Sequence, residues 1–281
     1  GFLPSRDCLA TVACMRALGI EVDRPGPTDV VIHGRGLDGL QPPAEPLDCV
    51  RSGTTMRLLS GILAGQPFES AVTGAPQLLR RPMRRITRPL RSMGAEIDDT
   101  EGHGPLTIRP GELRGREHVL PVASAQVKSA ILLAGLYAPG VTVVHQPGPA
   151  RDHTERMLAG LLRTEPDDAR LNEPVVRYTM ETVHLDAARI GRMAPMDVQI
   201  PGDLSSAAFL ITAALLLPGS DVALEDVGTN PTRTGYLDVL HAMGADVTAR
   251  DQHAQAGEPV ATLRIQAGGL TGTEIAGYTV V

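Results

Sequence analysis

The chain contains few of the side chains that nucleic-acid-binding proteins use. Tryptophan is absent, phenylalanine occurs three times and tyrosine four times, and the net charge is −6 at pH 7. Proteins that bind DNA or RNA usually combine a basic surface with aromatic rings on which bases stack. We therefore expect no nucleic-acid partner.

Cysteine is also scarce. Cys8, Cys14 and Cys49 form no Cys-x-x-Cys pair, which argues against a disulfide framework and a zinc ribbon. His153 and Glu155 are two residues apart and do not share a helical face, which argues against a metal pair there. Glycine-rich nucleotide loops of the G-x-G-x-x-G and P-loop types are missing. We expect no metal and no cofactor.

Long apolar runs are missing as well. None reaches the ~20 residues that a membrane-spanning helix needs, and residues 1–10 lack the basic-then-apolar pattern of a signal peptide. The 281 residues are 42% hydrophobic and 21% charged, which is typical of a folded chain with one large or two ordinary domains. We expect a soluble, cytoplasmic protein with no membrane partner.

Three copies of one octapeptide pattern show that the chain is internally repeated. They cover residues 15–22, 90–97 and 240–247, and their glycines lie 75 and 150 residues apart. An eroded fourth copy is therefore expected near residue 169. Each glycine is placed to end a helix in the left-handed conformation.

Serine residues form a second series at a similar period. Ser52, Ser124 and Ser205 each open a long apolar stretch that proline or glycine ends. Each stretch predicts a buried helix that the serine or a neighbouring polar residue caps. Because β-branched runs follow, helices and strands alternate, which predicts an α/β class built from repeated βαβ-type subdomains.

Two polar segments lead directly into apolar helices and indicate anion binding. Residues 51–57 (Arg-Ser-Gly-Thr-Thr-Met-Arg) and 124–128 (Ser-Ala-Gln-Val-Lys) place hydroxyls and free backbone N–H groups at a helix N-terminus. Lys128 is the single lysine of the chain. An ordinary helix cap explains residues 51–57 as well, so both interpretations stay open.

A third segment, residues 80–91, contains six arginines within an acidic protein. Pro82 suits the first position of a helix, which would leave Arg81 at the helix entrance and later arginines on the same face. This density indicates a positive field for an anionic ligand. A solvated basic face is the alternative.

Six motifs follow one another along the chain. They are Ser-Gly-Thr-Thr-Met-Arg-Leu-Leu (52–59), Arg-Pro-Met-Arg-Arg (81–85), Ser-Ala-Gln-Val-Lys-Ser (124–129), Arg-Asp-His-Thr-Glu (151–155), Pro-Gly-Asp-Leu-Ser-Ser-Ala-Ala (201–208) and Asn-Pro-Thr-Arg-Thr-Gly (230–235). Together they resemble the 3-phosphoshikimate 1-carboxyvinyltransferase (EPSP synthase) family, in particular its second, often glyphosate-tolerant, bacterial class. The similarity runs from Phe2 to the last residues.

The resemblance implies a fold of the enolpyruvyl transferase type, an inside-out α/β barrel with six βαβαββ subdomains in two lobes. Residues 1–200 would form most of the first lobe and residues 201–281 the beginning of the second. The chain would then hold about three and a half of the six subdomains.

The resemblance also implies a reaction. The enolpyruvyl group of phosphoenolpyruvate is transferred to the 5-hydroxyl of shikimate 3-phosphate with release of phosphate, a step of the shikimate pathway towards aromatic amino acids. The partners implied are these two small anions, and the enzyme is expected to be a monomer without a cofactor.

Eight residues are assigned to substrate binding by the motifs they match. Those expected to contact shikimate 3-phosphate are Ser124, Ala125, Gln126 and Arg151. Those expected at phosphoenolpyruvate are Gly53, Arg81 and again Gln126, with Lys128 and Arg57 supporting the positive field.

The chain departs from the family pattern in two ways. Val50 and Arg51 stand where the family usually has Gly-Asn. The catalytic acid and base residues of the family have no match in the 281 residues, so the catalytic residues are unknown and the piece alone is expected to be inactive. Two alternatives stay open: a non-catalytic fragment with a shikimate-3-phosphate half-site, and a UDP-N-acetylglucosamine enolpyruvyl transferase, whose reactive cysteine loop has no match here.

Overall fold

The computed structural model describes residues 1–164, 174–193 and 195–276. It divides into two compact units. The larger unit contains residues 2–150 and the described part of 161–195, and the smaller contains residues 151–160 and the described residues from 196 onward. Within the part described, no helix is both long and apolar enough to cross a membrane.

The larger unit begins with half a repeat. Helix α1 (Arg6–Ala17) is followed by strands β1 (Glu21–Asp23) and β2 (Val31–His33), which pair antiparallel as a two-stranded sheet. The Ser5 side chain caps α1 by accepting a hydrogen bond from the Cys8 backbone N–H.

The first complete repeat follows. Its elements are β3 (Leu47–Asp48), α2 (Gly53–Leu63), β4 (Ser70–Thr73), the single turn α3 (Pro76–Leu79), α4 (Arg84–Met93), β5 (Glu96–Thr100) and β6 (His103–Arg109). The sheet order is β3-β4-β6-β5, in which β3 and β4 are parallel and the other pairs antiparallel.

The second repeat has the same strand arrangement. Its elements are β7 (Glu117–Val119), α5 (Ala125–Gly135), β8 (Val141–His145), α6 (His153–Leu161), β9 (Leu162–Thr164), β10 (Val176–Tyr178), β11 (Thr182–Asp186), a 3₁₀ turn (Ala187–Arg189) and β12 (Ile190–Met193). The main sheet has the order β10-β11-β8-β7 with β7 parallel to β8, and β9 pairs separately with β12.

The third repeat lies in the smaller unit. It comprises α7 (Leu204–Leu216), β13 (Asp221–Gly228), α8 (Gly235–Ala242), β14 (Asp246–Gln255) and β15 (Glu258–Gln266). The strands are ordered β13-β15-β14, and a parallel bridge from Gly202 to Val227 takes the position of the first strand. The predicted fold class of repeated βαβαββ subdomains is therefore confirmed.

Close helix packing forms the centre of the larger unit. A Cβ atom on Gly61 of α2 would lie 2.2 Å from the carbonyl oxygen of Ala130 in α5. Any side chain at position 61 would overlap this backbone, so only glycine permits such contact between the two helices.

The helix ends agree with most of the sequence-based expectations. Gly19, Gly94 and Gly244 have φ values of +82°, +110° and +84°, as predicted for left-handed caps. Ser52 is the N-cap of α2, and its side chain accepts the Thr55 N–H. Ser124 is the N-cap of α5 but makes no capping hydrogen bond with its side chain.

Three further expectations have mixed outcomes. Asp203, a polar residue two positions before Ser205, caps α7, which agrees with the expectation that the serine or a neighbouring polar residue would do so. Pro82 is not the first residue of a helix: α4 begins at Arg84, so Arg81 lies in the turn between α3 and α4 instead of on the face of α4. The copy expected near residue 169 lies outside the described residues.

Candidate functional site

The N-terminus of α2 is the candidate anion-binding position in the larger unit. The Ser52 hydroxyl accepts hydrogen bonds from the Thr55 backbone N–H (3.2 Å) and from the Thr55 hydroxyl (2.7 Å). The remaining N–H groups of the first turn and the positive end of the helix dipole favour a negatively charged ligand.

Two arginines lie over this helix terminus. A Cβ atom on Gly53 would be 2.8 Å from Nη1 of Arg81 and 3.6 Å from Nη1 of Arg57. Arg57 belongs to α2 itself, one turn after Gly53, whereas Arg81 comes from the turn before α4. Because position 53 has no side chain, both guanidinium groups approach the backbone of the first turn.

Gln126 connects this cluster to α5. The Arg57 guanidinium donates a hydrogen bond from Nη1 to Oε1 of Gln126, and Nε2 of Gln126 donates to the Thr54 hydroxyl at 2.9 Å. One amide therefore joins the first turns of α2 and α5. The structure brings together four predicted residues: Gly53, Arg57, Arg81 and Gln126.

The electrostatics of the cluster favour an anionic ligand. Burial lowers the pKa of Arg57, and the positive charges of Arg85 and Arg81 lower it further. Arg57 is only 6% exposed, and its Nε has no hydrogen-bond partner among the described residues. A phosphate or carboxylate would offset the repulsion and accept charge-assisted hydrogen bonds.

The N-terminus of α5 carries three further predicted residues. Ser124 precedes the helix with extended backbone, and its hydroxyl is not used to cap it. Ala125 is the first helical residue, which leaves its N–H and the next ones without helical carbonyl partners. Lys128 lies one turn further on, is only 1% exposed and is not a free cation.

Arg151 is the one predicted binding residue in the smaller unit. It is exposed and precedes α6. The other seven belong to the larger unit. Their roles towards substrates stay predictions.

Two residues of the cluster were not assigned a role from sequence. Thr54 accepts the Gln126 hydrogen bond, and Arg85 acts on Arg57 through its charge. Thr54 lies in the motif at 52–59 and Arg85 in the motif at 81–85. A motif shows that a residue recurs at a position, whereas the direction of its side chain comes only from the structure.

The departure at Val50 has a structural consequence. Val50 adopts φ +54°, the left-handed region that a β-branched residue rarely occupies. Its N–H donates to Oδ1 of Asp48 at 2.8 Å, and its carbonyl accepts the Ala75 N–H at 2.6 Å. These two bonds hold the strained backbone immediately before Arg51, which is exposed.

The smaller unit contains a cavity of about 180 Å³. It is lined by His153, Pro201, Gly202, Asp203, Leu204, Gly228, Asn230, Arg233 and Glu258. These residues include parts of the motifs at 201–208 and 230–235.

Hydrogen bonds and ion pairs occupy the polar groups that line this cavity. Nδ2 of Asn230 donates to Oδ1 of Asp152 (2.6 Å) and to Oε2 of Glu258 (2.9 Å). Arg233 donates to Oδ1 of Asp203 at 2.8 Å. Burial raises the pKa values of Asp152, Glu258 and Asp203, but hydrogen bonds outweigh this effect, so all three pKa values are lowered. The donors are Arg156 and Asn230 for Asp152, His153 and Asn230 for Glu258, and Ser206 for Asp203, where the charge of Arg233 adds to the effect. The two motifs therefore stabilise the fold of the smaller unit.

Repeated βαβαββ subdomains with arginines gathered at a helix N-terminus define an α/β protein suited to small anionic ligands. The chain belongs to the EPSP synthase family: the family model described as EPSP synthase (3-phosphoshikimate 1-carboxyvinyltransferase) matches residues 1–275.

Individual relatives agree with this family. The chain is 50% identical over 287 residues to the 3-phosphoshikimate 1-carboxyvinyltransferase of Methylococcus capsulatus, a match that covers 100% of the chain and 62% of the relative. It is 49% identical to the protein of that name from Salinibacter ruber, with 98% of the chain and 62% of the relative covered. The solved EPSP synthase of Acinetobacter baumannii superposes with a TM-score of 0.88 at 43% identity, covering 99% of this chain and 61% of that one.

The matches confirm the family that the motifs indicated. The chain spans about three fifths of the length of the relatives it matches.

Proposed function

We propose that this chain is part of an enzyme that transfers the enolpyruvyl group of phosphoenolpyruvate to the 5-hydroxyl of shikimate 3-phosphate and releases phosphate. The observation that carries the proposal is the cluster of Gly53, Arg57, Arg81 and Gln126 in a chain of the EPSP synthase family. An enzyme that joins two anions must first offset their mutual repulsion, and fixed guanidinium groups and helix N-termini do so.

Each helix terminus would hold one substrate. Phosphoenolpyruvate would bind at α2, where Nη1 of Arg81 and Nη1 of Arg57 lie over the backbone of Gly53. Shikimate 3-phosphate would bind at α5 through Ser124, Ala125 and Gln126. Lys128 would contribute charge from within α5.

Gln126 occupies the position between the two substrates. Its amide already bridges Arg57 and Thr54, so it would orient both anions towards each other. In the proposed reaction the 5-hydroxyl attacks C2 of phosphoenolpyruvate while the methylene carbon is protonated, and the tetrahedral intermediate then loses phosphate. We assign no acid or base to this chain and propose that these groups lie in the part of the relatives' length that it does not span.

We propose that residues 1–200 and 201–281 belong to two different lobes. In the larger unit α2 and α5 pack against each other, whereas α7, the equivalent helix of the third repeat, exposes Phe209 (79%) and Leu216 (65%). A further repeat, within the remaining two fifths of the relatives' length, would cover this face of α7.

We further propose a cytoplasmic, monomeric enzyme whose partners are the two small substrates. The support for a reducing compartment is that Cys8, Cys14 and Cys49 are all free thiols.

Calorimetric titration of the 281-residue chain tests the proposed site directly. Shikimate 3-phosphate should bind, and Gln126→Ala should weaken binding by about tenfold or more because a charge-assisted contact is lost. Gln77→Ala, an exposed glutamine of α3, is the matched control and should leave the affinity unchanged. Equal affinity of wild type and Gln126→Ala would contradict the proposed site.

The same titration tests the alternative enzyme. The family match favours EPSP synthase over UDP-N-acetylglucosamine enolpyruvyl transferase, and the nucleotide sugar should therefore not bind. The half-site fragment is tested separately, because the 281-residue chain is expected to bind shikimate 3-phosphate without turnover in either case; phosphate release after the remaining length is supplied by a relative distinguishes the two.

A further inference from the structure

The β1–β2 ribbon of the larger unit gathers three potential metal ligands on one face. Glu21 pairs directly with His33, and Asp23 follows Glu21 by two residues on the same strand. Because side chains alternate along a strand, Glu21 and Asp23 project to the same side, and His33 joins them from the facing strand.

The ligand atoms are close enough to share one ion. One donor atom from each of Glu21, Asp23 and His33 lies within 4.8 Å of the others, and Nε2 of His33 is 2.9 Å from Oδ2 of Asp23. Imidazole nitrogen and carboxylate oxygen bind Zn²⁺ at about 2.0–2.2 Å, so ligand atoms around one ion are separated by roughly 3–4 Å. The present spacing of up to 4.8 Å is therefore slightly wider than a bound ion requires, and binding would draw the three exposed side chains together.

The charge of the cluster also suits a divalent cation. The two ionised carboxylates carry a charge of about −2, and the imidazole adds a nitrogen donor. Two neighbouring cations have other contacts. The Arg24 guanidinium donates to the Pro27 carbonyl at 3.4 Å and lies 5.8 Å from the centre of the Phe2 ring, and the Arg16 guanidinium donates to the Val22 carbonyl.

The ribbon has a structural use for such an ion. β1 and β2 form a sheet of only two strands with three residue pairs, and all three side chains of β2 are exposed. Two-stranded ribbons are marginally stable in water. An ion coordinated by residues of both strands would cross-link the strands and would therefore favour the paired state.

We propose that Glu21, Asp23 and His33 form a binding site for a divalent transition-metal ion of the Zn²⁺ class that stabilises the β1–β2 ribbon. Sequence spacing does not show this site, because His33 lies ten residues after Asp23 and only the strand register brings them together. The mixed nitrogen and oxygen donors favour Zn²⁺, Co²⁺ or Ni²⁺ over Mg²⁺. The proposal is independent of the proposed enzymatic function.

Titration of the metal-free chain with Zn²⁺ and with Co²⁺ tests the site. The expected result is one ion per chain, an affinity that falls by about tenfold or more in His33→Ala, and an unchanged affinity in His253→Ala. His253 is an exposed histidine of β14 in the smaller unit and therefore controls for adventitious binding to surface imidazole. Asp23→Asn is a second variant that keeps a hydrogen-bonding group beside His33 but removes a charge, and it should weaken binding as well.

Hydrogen exchange provides a readout besides affinity. Zn²⁺ should slow amide exchange in β1 and β2 of the wild type and leave exchange in His33→Ala unchanged. Equal metal affinity in His33→Ala and His253→Ala, or binding without added protection of the ribbon, would overturn the proposal.

Discussion

The guanidinium group of Arg81 lies directly over Gly53: its Nη1 is 2.8 Å from the position that a Cβ atom on Gly53 would occupy. A residue from the turn before α4 thereby reaches the first turn of α2. This contact explains why position 53 must lack a side chain if Arg81 is to contact an anion there.

Replacing Gly53 by alanine should displace Arg81 without unfolding the protein. The added methyl group would overlap the tip of a flexible side chain, which can move away. We expect the affinity for phosphoenolpyruvate to fall by about tenfold, or ~1.4 kcal/mol, with little change in melting temperature. A large drop in melting temperature, or an unchanged affinity, would show that Arg81 does not hold the ligand from this position.

Arg81→Ala should weaken phosphoenolpyruvate binding by about 1.5–3 kcal/mol, because a hydrogen bond to a charged group is lost. Shikimate 3-phosphate should be affected much less. Calorimetric titration of each substrate measures the difference, with Arg88→Ala, an exposed arginine of α4, as the control. Equal losses for both substrates would argue against separate subsites.

Val50→Gly should stabilise the protein. A left-handed conformation costs an L-residue about 1–2 kcal/mol, and glycine removes this strain. Glycine also raises the conformational entropy of the unfolded chain, which lowers the free energy of unfolding by about 0.5–1 kcal/mol. We expect a net gain of about 0.5–1 kcal/mol in the free energy of unfolding, measured by urea denaturation. Val119→Gly in strand β7, at an exposed valine without positive φ, should destabilise instead, and stabilisation by both would contradict the strain at Val50.

His118 should make stability depend on pH. Burial lowers its pKa, the nearby charge of Arg116 lowers it further, and its Nε2 has no partner among the described residues. The unfolded chain therefore binds the proton more readily, with a pKa of about 6.5, so the contribution to stability is complete above that pH and is lost as the pH falls below it. In His118→Gln the free energy of unfolding should vary less between pH 7 and 5 than in wild type, whereas His253→Gln should keep the wild-type slope.

The repeated fold could be predicted because its signals are local. Glycine at positions 19, 94 and 244 marks a left-handed helix end wherever it occurs, and Ser52 satisfies the N–H groups of the turn that follows it. The prediction for Pro82 was wrong because proline is also tolerated in the turn before a helix, and here α4 begins two residues later.

The site could be predicted only in part. Gly53, Arg81 and Gln126 were identified through motifs, but the roles of Thr54 and Arg85 depend on side-chain directions across two helices. Contacts between α2 and α5 join residues about 70 positions apart, and neither periodicity nor capping rules contain that information.

Phosphate release tests the central claim most directly. The measurement uses a chimera in which these 281 residues replace the matching segment of the Methylococcus capsulatus relative, because the chain alone spans 62% of that relative. We predict phosphate release that requires both shikimate 3-phosphate and phosphoenolpyruvate and that falls by about 10- to 100-fold in Arg81→Ala. A folded chimera that releases no phosphate, or releases it without shikimate 3-phosphate, would contradict the account.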